Sequence, residues 1–320
     1  MKNSKKQQIM FVVNAQAGRG EGLACKRKIE EAFGDSLITV TAPEGRNSAF
    51  NLGRRAVQEG VDILVSVGGD GTHNLVINGL MAGIKEKGLS FDNLPVIGLM
   101  GTGTGNNFTK NLGISSDFKE ALEVIKNGHI RAVDLGLLTF KEEKKYFVNV
   151  LSFGFDGLVV AALKKIKEKK VYGLVPKRLI SLIYLAIAVA RIVPGLPSYK
   201  LILSDSVFHV EIEAHLLALC NGSTYGGVFR VAPKANMSDG LFDACLISRA
   251  NRFKAAGLLL RAIWGRHIGS SHVRSFNFSS LVVSSLKPLP CEMDGEVISS
   301  ERGYKITVLL GILKVLVPRH

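Results

Sequence analysis

Short apolar runs alternate with amphipathic stretches through the first 130 or so residues. Apolar runs of this length predict buried strands, and the stretches between them have helical spacing. The predicted strands are Ile9–Val13, Leu37–Thr41, Val61–Val67 and Pro95–Leu99, and the predicted helices are 22–33, Ser48–Glu59 and Thr72–Gly83. Strands alternating with helices are typical of an open, largely parallel sheet with flanking helices. We therefore expect an α/β domain over residues 1–132.

The pattern changes from Val133 onward, where β-rich runs are separated by turns more often than by helices. The runs are Tyr146–Val150, Tyr199–Leu203, Val207–Cys220 and Leu241–Ile247. This pattern predicts a second, mainly antiparallel, β-sandwich-like domain over residues 133–304. The last apolar run, Lys305–Val317, leaves open a return of the chain to the first domain through residues 305–320.

Glycine-rich loops follow three of the predicted strands, at Asn14–Gly20, Gly68–Thr72 and Gly101–Asn107. Ligands of open α/β sheets bind beyond the carboxyl ends of the strands, so these loops are expected to line one crevice. In the loop Gly68–Thr72, three of the five residues lack a Cβ, which lets backbone N–H groups approach a phosphate closely. Asp70 adds a carboxylate that can hold a cation through water. The three loops predict a site for nucleotide phosphate bound as its magnesium complex.

Composition narrows the choice of partners only slightly. The formal net charge is +14, from 41 Lys and Arg against 27 Asp and Glu, which favours polyanions or an anionic membrane face. The four cysteines form no CxxC pair, so neither a zinc ribbon nor a redox motif is indicated. The apolar stretch Ile9–Val13 is too short for a signal peptide, which predicts a cytoplasmic location.

Two segments of the second half carry the excess charge beside apolar residues. Leu179–Val193 is apolar except for Ser181 and Arg191 and follows the lysine-rich stretch Lys164–Lys170. Fifteen residues span only ~22 Å as a helix, which excludes a transmembrane helix and leaves a core helix and an interfacial helix open. Arg252–Arg274 mixes basic residues with leucines and one tryptophan, which suits an anionic membrane surface but also a solvated helix face.

Several nucleotide-binding classes are excluded by their missing motifs. The chain has no GxxxxGK[ST] and no HRD or DFG, so it is neither a Walker-type NTPase nor a protein kinase. Asn106 stands where the dinucleotide fingerprint has its third glycine, which disfavours an NAD-dependent dehydrogenase. No reader motif for nucleic acid is present, so nucleic acid is not an expected partner.

With these motifs in view, the chain resembles the diacylglycerol kinase catalytic-domain family, in particular its bacterial lipid kinases. The resemblance runs from about residue 8 to residue 317. It rests on Asn14, on the runs Gly68–Thr72, Gly103–Phe108 and Ser238–Asp243, and on Asp294-Gly295-Glu296. The GGDGT run alone is shared with NAD kinases and phosphofructokinases, whereas the two later motifs are much more specific to lipid kinases.

The resemblance implies a site built from both domains, with a cleft between them that closes over the nucleotide. The catalytic base of the family matches Glu296 in this chain, and its carboxylate would take the proton from a lipid hydroxyl. Asp70 is assigned to magnesium, through water. The predicted nucleotide-binding residues are Asn14, Thr41, Gly68, Gly69, Asp70, Gly71, Thr72, His73, Asn74, Gly103, Thr104 and Asn106. Taken without the family, Asp294-Gly295 also fits a simple hairpin turn with Glu296 in solvent.

The resemblance also implies a structural magnesium site in the second domain, formed by Asn236, Asp239 and the carbonyl of Leu241. Oxygen ligands suit such a hard cation. Two departures from the family pattern stand out. Ala15 replaces a proline, and Asn107 replaces an aspartate, which removes one charge from the expected acid and water network around the metal.

The sequence therefore predicts an ATP- and Mg²⁺-dependent lipid kinase that is recruited to an anionic membrane surface without a transmembrane segment. Diacylglycerol, phosphatidylglycerol and a sphingoid base all remain open as acceptors. NAD kinase is a second hypothesis, and a catalytically weak lipid- or nucleotide-binding regulator, suggested by Asn107, is a third. The oligomeric state, a homodimer included, is left open.

Overall fold

The computed structural model describes residues 7–19, 21–34, 37–41, 47–167, 183, 185–190 and 196–319. Its chain divides into two compact units, Met1–Val133 with Gly311–His320, and Asp134–Leu310. Residues 168–170 of the lysine-rich stretch and most of the apolar segment Leu179–Val193 lie outside the described residues. Within the described part of the chain, no helix combines the length and the apolar character needed to cross a membrane.

The first unit is an open parallel sheet. Its strands are β1 (Ile9–Val13), β2 (Leu37–Val40), β3 (Ile63–Gly68) and β4 (Val96–Gly101), in the spatial order β4-β3-β1-β2. All four are parallel, and the end of a later strand joins the sheet next to β4, where Val315 pairs with Ile97. Every residue of β3 is buried, which explains why this strand has an uninterrupted apolar sequence. The predicted α/β sheet is confirmed.

Helices flank this sheet and set the positions of its loops. They are α1 (Glu21–Phe33), α2 (Asn47–Glu59), α3 (Asp70–Lys87), α4 (Asn107–Asn111) and α5 (Phe118–Asn127). Helices α2 and α3 pack with their backbones in contact, because a Cβ at Gly53 would lie 2.2 Å from the carbonyl oxygen of Val76, and one at Gly79 would lie 2.0 Å from that of Phe50. This close packing leaves no freedom for α3 to slide, so its N-terminus is held at the end of β3.

The second unit is mainly antiparallel. Its elements are β5 (His129–Phe140), β6 (Glu143–Phe147), β7 (Val150–Gly154), α6 (Phe155–Lys167), β8 (Tyr199–Ser204), β9 (His209–Cys220), β10 (Phe242–Ser248), α7 (Arg252–Ala262), β11 (Val273–Phe278), β12 (Ser280–Met293) and β13 (Glu296–Val317). Two of these strands extend beyond the unit, because β5 begins, and β13 ends, in residues of the first unit. The main path of the sheet is β11-β10-β9-β7-β12-β13, with β8 paired to β9 and β12.

The core of the second unit contains aromatic rings in mutual contact. The Phe147 and Phe242 ring centroids lie 5.4 Å apart, and those of Phe153 and Tyr304 lie 4.9 Å apart. Such pairs stabilise a core by ~1 kcal/mol beyond their burial. The predicted mainly antiparallel character is confirmed, but one predicted strand is wrong, because Tyr146–Val150 is broken at Val148 and Asn149 between β6 and β7.

Candidate functional site

The three glycine-rich loops of the first unit lie side by side at the carboxyl edge of the sheet. Val13 pairs with Val67, and Gly68 pairs with Gly101, so the ends of β1, β3 and β4 are aligned. Thr41 directly follows β2 and is buried at the same edge, where its N–H donates to the carbonyl of Val13. The structure therefore brings together the four chain segments that contain every predicted nucleotide-binding residue.

Asn14 joins the first loop to the second. Its Nδ2 donates to Oγ1 of Thr72 at 2.8 Å, and its Oδ1 accepts from the N–H of Gln16 at 3.0 Å. Thr72 is buried, and the bond that its hydroxyl accepts from Asn14 links the two loops. Both side chains thus shape the site by fixing the loops.

Glycine allows the second and third loops to touch. A Cβ at Gly103 would lie 2.5 Å from Cα of Gly69, closer than real Cβ contacts allow. Gly69 also precedes α3 in extended conformation and gives it no side-chain cap. Thr72 and His73 donate their backbone N–H groups to the carbonyl of Gly69. The N–H groups that precede them have no carbonyl one turn earlier to bind, which suits them to an anion. Close loop packing and an uncapped helix N-terminus are the features expected of a phosphate cradle.

The carboxylate of Asp70 connects the second loop to the start of α4. Its Oδ1 accepts from the N–H of Phe108 at 2.9 Å, and its Oδ2 accepts from the N–H and the Nδ2 of Asn107 at 3.0 and 3.1 Å. A carboxylate beside the first N–H groups of a helix is favoured by charge and by hydrogen bonding. These bonds use three of its roughly four lone-pair directions, which leaves room for one water.

His73, one of the predicted nucleotide-binding residues, has its side chain in the core. The ring is fully buried, and Nδ1 shares a hydrogen bond of 2.8 Å with Oγ of Ser66. The backbone N–H of His73 donates to the carbonyl of Gly69 within the first turn of α3. Burial lowers the pKa of His73 from 6.5 to about 4, although the Asp70 charge opposes the shift. This histidine is a neutral core residue beneath the cradle.

The buried ring gives a prediction for stability against pH. Because the folded-state pKa lies below the usual value, His73 favours the folded state above pH 6.5, and ~3 kcal/mol of stability is lost as the pH falls from 6.5 to about 4. In thermal melts over that pH range, we expect the unfolding midpoint of His73→Asn to depend less on pH than that of the wild type. The exposed His129 gives the control His129→Asn, and an unchanged slope for His73→Asn would contradict the assignment.

The remaining predicted nucleotide residues lie on the same edge. Asn74 accepts hydrogen bonds from Nδ2 of Asn78 at its carbonyl and at Oδ1. Thr104 is exposed at the tip of the third loop. Asn106 adopts φ 50° and donates from Nδ2 to the carbonyl of Gly101, while its buried Oδ1 has no hydrogen-bond partner within the described structure. A buried, unpartnered acceptor beside the cradle is a place for a polar group of a ligand or for water.

In the second unit, Asp294 and Gly295 form a two-residue turn that presents Glu296. Both turn residues have positive φ, 49° and 85°, and Met293 pairs with Glu296 across the hairpin. The Asp294 carboxylate accepts from the N–H groups of Val148, Asn149 and Val150 at 2.8 to 3.0 Å. These bonds replace the strand ladder and break the predicted strand Tyr146–Val150. Glu296 is thus an exposed carboxylate on an anchored turn.

Sequence reasoning missed a buried carboxyl pair beneath this turn. Glu292 accepts from Oγ of Ser152 at 3.0 Å and from the N–H of Gly295 at 2.9 Å, and the same serine hydroxyl lies 2.8 Å from Asp156. Burial, and then the neighbouring charge of Asp156, raise the pKa of Glu292 well above its usual value. A protonated Glu292 hydrogen-bonds Asp156 and holds the base of the turn through Gly295.

The pair predicts that Glu292→Gln stabilises the protein at high pH. Because its folded-state pKa is raised, Glu292 destabilises the fold progressively as the pH rises above 4.5. Glutamine keeps a donor towards Asp156 and an acceptor for Gly295 without a charge. We expect a gain of ~1–2 kcal/mol in unfolding free energy at alkaline pH, vanishing near pH 4.5. Denaturant titrations beside the exposed control Glu143→Gln test this, and a pH-independent difference would contradict it.

The predicted structural magnesium ligands lie in one exposed turn of the second unit. Oδ1 of Asn236 accepts from Ser238, and Oδ1 of Asp239 accepts from Leu241, each through a backbone N–H. The buried Asp134 accepts from the N–H of Gly240 at 2.7 Å and so fixes the turn. The donors are all oxygens, but no cluster of three His, Cys, Asp or Glu side chains suited to a metal occurs in the described residues.

An apolar cavity lies within the second unit. The cavity is partly open to solvent and is bounded by aromatic and aliphatic side chains. These include Phe155, Val159, Leu196, Tyr225, Phe229 and Ile247, with Asp156 and two histidines among the few polar neighbours. The residues come from α6, β9, β10, α7 and the loops around them, so no contiguous motif marks the cavity in the sequence. Its lining suits an acyl chain.

Comparison with known proteins places the chain in a family. A model described as "Diacylglycerol kinase catalytic domain" matches residues 8–138, and one described as "YegS C-terminal NAD kinase beta sandwich-like domain" matches residues 150–317, more than half of the chain. The chain belongs to this family of diacylglycerol-kinase-type lipid kinases, in which an α/β catalytic domain precedes a β-sandwich-like domain. The predicted fold class and family are confirmed.

Curated relatives agree with the family models. A protein named "Diacylglycerol kinase" from Staphylococcus saprophyticus is 29% identical over 277 residues, covering 84% of this chain and 81% of its own. The protein of that name from Bacillus subtilis is 26% identical over 276 residues, covering 84% and 82%. A solved structure described as a putative diacylglycerol kinase from Bacillus anthracis has the same fold, with a TM-score of 0.77, 20% identity and 97% of each chain covered.

Proposed function

We propose that this protein transfers the γ-phosphate of ATP to the hydroxyl of a diacylglycerol-type lipid at an anionic membrane surface. The observation that carries the choice of acceptor is the apolar cavity of the second unit, bounded by side chains such as Phe155, Phe229 and Ile247. A kinase that phosphorylates a soluble ribose has no use for such a cavity. We further propose that the units are an ATP-binding domain and a lipid-substrate domain.

The residues divide the work between binding and proton transfer. The glycine loops and the first turn of α3 bind the phosphates through N–H groups, and Asn14 and Thr72 fix the loops. With nucleotide bound as its magnesium complex, the cation supplies neutralisation of phosphate charge, and Asp70 has one direction left for a water ligand. Glu296 takes the proton of the attacking hydroxyl. Positioning and charge provide most of the remaining acceleration.

Asn107 allows this arrangement to form without a cation. Its Nδ2 donates to Asp70 at 3.1 Å, where an aspartate would place a second carboxylate. Two carboxylates this close repel unless a cation or a proton lies between them. With asparagine at position 107, a hydrogen bond to Asp70 takes the place of the cation that two carboxylates would need between them. Asp70 is therefore held in position in the proposed kinase.

Substitution of Asn107 tests that interpretation. We expect Asn107→Asp to lose ~1–3 kcal/mol of unfolding free energy in the presence of a chelator and to regain most of it when Mg²⁺ is added. The wild type and the control Asn93→Asp, at an exposed position, are expected to respond little to Mg²⁺. Thermal melts with and without Mg²⁺ decide the matter, and a variant indifferent to Mg²⁺ would rule the interpretation out.

An acceptor comparison tests the proposed function itself. Purified protein is incubated with labelled ATP, Mg²⁺ and either diacylglycerol in detergent micelles, phosphatidylglycerol, a sphingoid base or NAD. We expect label in the lipid, with diacylglycerol preferred. Label in NAD would overturn the lipid proposal, and ATP binding without transfer to any acceptor would favour a regulator.

A further inference from the structure

Helix α7 and the turn that follows it, which contains Trp264, have an exposed apolar stripe on the side opposite the core contacts of the helix. Phe253, Leu260 and Trp264 are 77%, 46% and 64% exposed, and they lie at helical spacing with Gly257 between the first two. Large apolar side chains that stay in solvent on one face of a helix mark an interaction surface. We call Phe253, Leu260 and Trp264 the α7 stripe.

Cations flank the α7 stripe on both sides. The basic side chains are Arg252, Lys254, Arg261 and Arg266, and all four residues are exposed. No Asp or Glu occurs between residues 249 and 274, so the segment carries positive charge alone. Arg252 also lies over the ring of Phe253, 5.2 Å from its centroid. An apolar stripe between basic residues complements an anionic lipid surface. The headgroups bind the basic side chains, and the apolar side chains insert into the membrane interface.

The buried side of the same helix lines the apolar cavity. Ala255, Leu259 and Ala262 contribute to the cavity wall, and they project from the side of α7 away from the stripe. A single helix therefore has one face on the solvent-exposed stripe and the other on the space assigned to the acyl chain.

We propose that the α7 stripe and its flanking cations dock this protein on the surface of an anionic phospholipid bilayer. The proposal rests on the proposed function in one respect, because the docked helix is taken to deliver a lipid acceptor to the cavity. The occupant is a bilayer rather than a protein. The three large apolar side chains match the membrane interface, and the basic residues on either side match the layer of anionic headgroups.

The single tryptophan of the chain makes the docking observable. Trp264 is the only tryptophan, so the intrinsic tryptophan emission of the protein reports on the α7 stripe directly. Vesicles of phosphatidylcholine alone are compared with vesicles of phosphatidylcholine and phosphatidylglycerol. We expect a blue shift of the emission, and quenching by lipids brominated near the interface, only with phosphatidylglycerol present and less at high salt. Vesicle binding without quenching of Trp264 would overturn the proposal.

Paired substitutions test the two parts of the surface in sedimentation with the same vesicles. Phe253→Ser with Leu260→Ser, and separately Arg252→Gln with Arg261→Gln, are each expected to weaken partitioning roughly tenfold or more. Val207 and Leu286, 89% and 74% exposed, give a matched control, Val207→Ser with Leu286→Ser, expected to bind as the wild type does. Equal loss in the control, or none in the α7 variants, would place docking elsewhere.

Failure of docking and failure of the proposed function remain distinguishable. Wild-type protein that phosphorylates diacylglycerol in micelles but ignores vesicles would overturn the docking proposal and leave the kinase assignment standing. Protein that binds vesicles through Trp264 but phosphorylates no lipid would do the reverse.

Discussion

Glu296→Gln is expected to lower the turnover number for lipid phosphorylation by about 10²- to 10⁴-fold, the contribution of one positioned base. Glutamine has nearly the same shape but cannot accept the proton of the attacking hydroxyl. The turn that presents residue 296 is fixed by Asp294 and Gly295, so the substitution leaves its geometry intact. We therefore expect an unchanged unfolding midpoint and an unchanged affinity for ATP, with the loss confined to kcat.

A matched variant separates this effect from a general change of surface charge. Glu211→Gln removes an exposed carboxylate from β9 in the same unit and is expected to retain wild-type turnover. Steady-state assays with diacylglycerol in micelles measure both variants. Wild-type turnover in Glu296→Gln would remove Glu296 from the proton transfer, and an equal loss in both variants would point to charge rather than to a base.

Much of the first unit could be predicted from sequence because its signals are local. The strand Ile9–Val13 was predicted at its observed bounds, and β3 and β4 were displaced by two residues or fewer at each end. Continuous apolar runs identify strands buried on both faces, and glycine clusters mark the turns that follow them. The edge at which three loops meet followed from the parallel order of the strands alone.

The second unit was harder to predict because distant residues decide its local structure. The run Tyr146–Val150 has the composition of one strand, yet the carboxylate of Asp294 takes three consecutive N–H groups from Val148 onward and ends it. Nearly 150 residues separate the partners in sequence. Propensity within a short window contains no information about such a bond.

The same difference between local and distant signals separates the site residues that the sequence predicts from those that it does not. The positions of Gly68, Gly69 and Gly103 followed from their motifs, whereas the direction of a side chain depends on packing. His73 lies inside the GGDGTHN run, but the first turn of α3 places its ring in the core, against Ser66. The acid pair of Glu292 and Asp156 left no motif, since its members lie on different elements.

Gly103→Ala is the second change with a large expected effect, because it pushes apart the two loops that form the phosphate cradle. The new Cβ would lie 2.5 Å from Cα of Gly69 and 2.9 Å from Oδ1 of Asn106. Backbone cannot yield as a flexible side chain does, so the third loop must shift by something approaching 1 Å. Misplacement on that scale lowers the reaction rate by about 10²-fold. We expect a comparable fall in kcat/KM for ATP and weaker nucleotide binding.

The fold should survive Gly103→Ala, because the contacts that hold β3, β4 and α3 in place do not pass through residue 103. Gly303→Ala is the matched control, since a Cβ there meets nothing within 4 Å. Calorimetric titration with ATP, beside thermal melts of both variants, separates a damaged cradle from a damaged fold. Wild-type affinity in Gly103→Ala would mean that the phosphates bind away from the Gly69–Gly103 contact. Weak binding with a normal melt would tie nucleotide affinity to the close approach that only glycine permits.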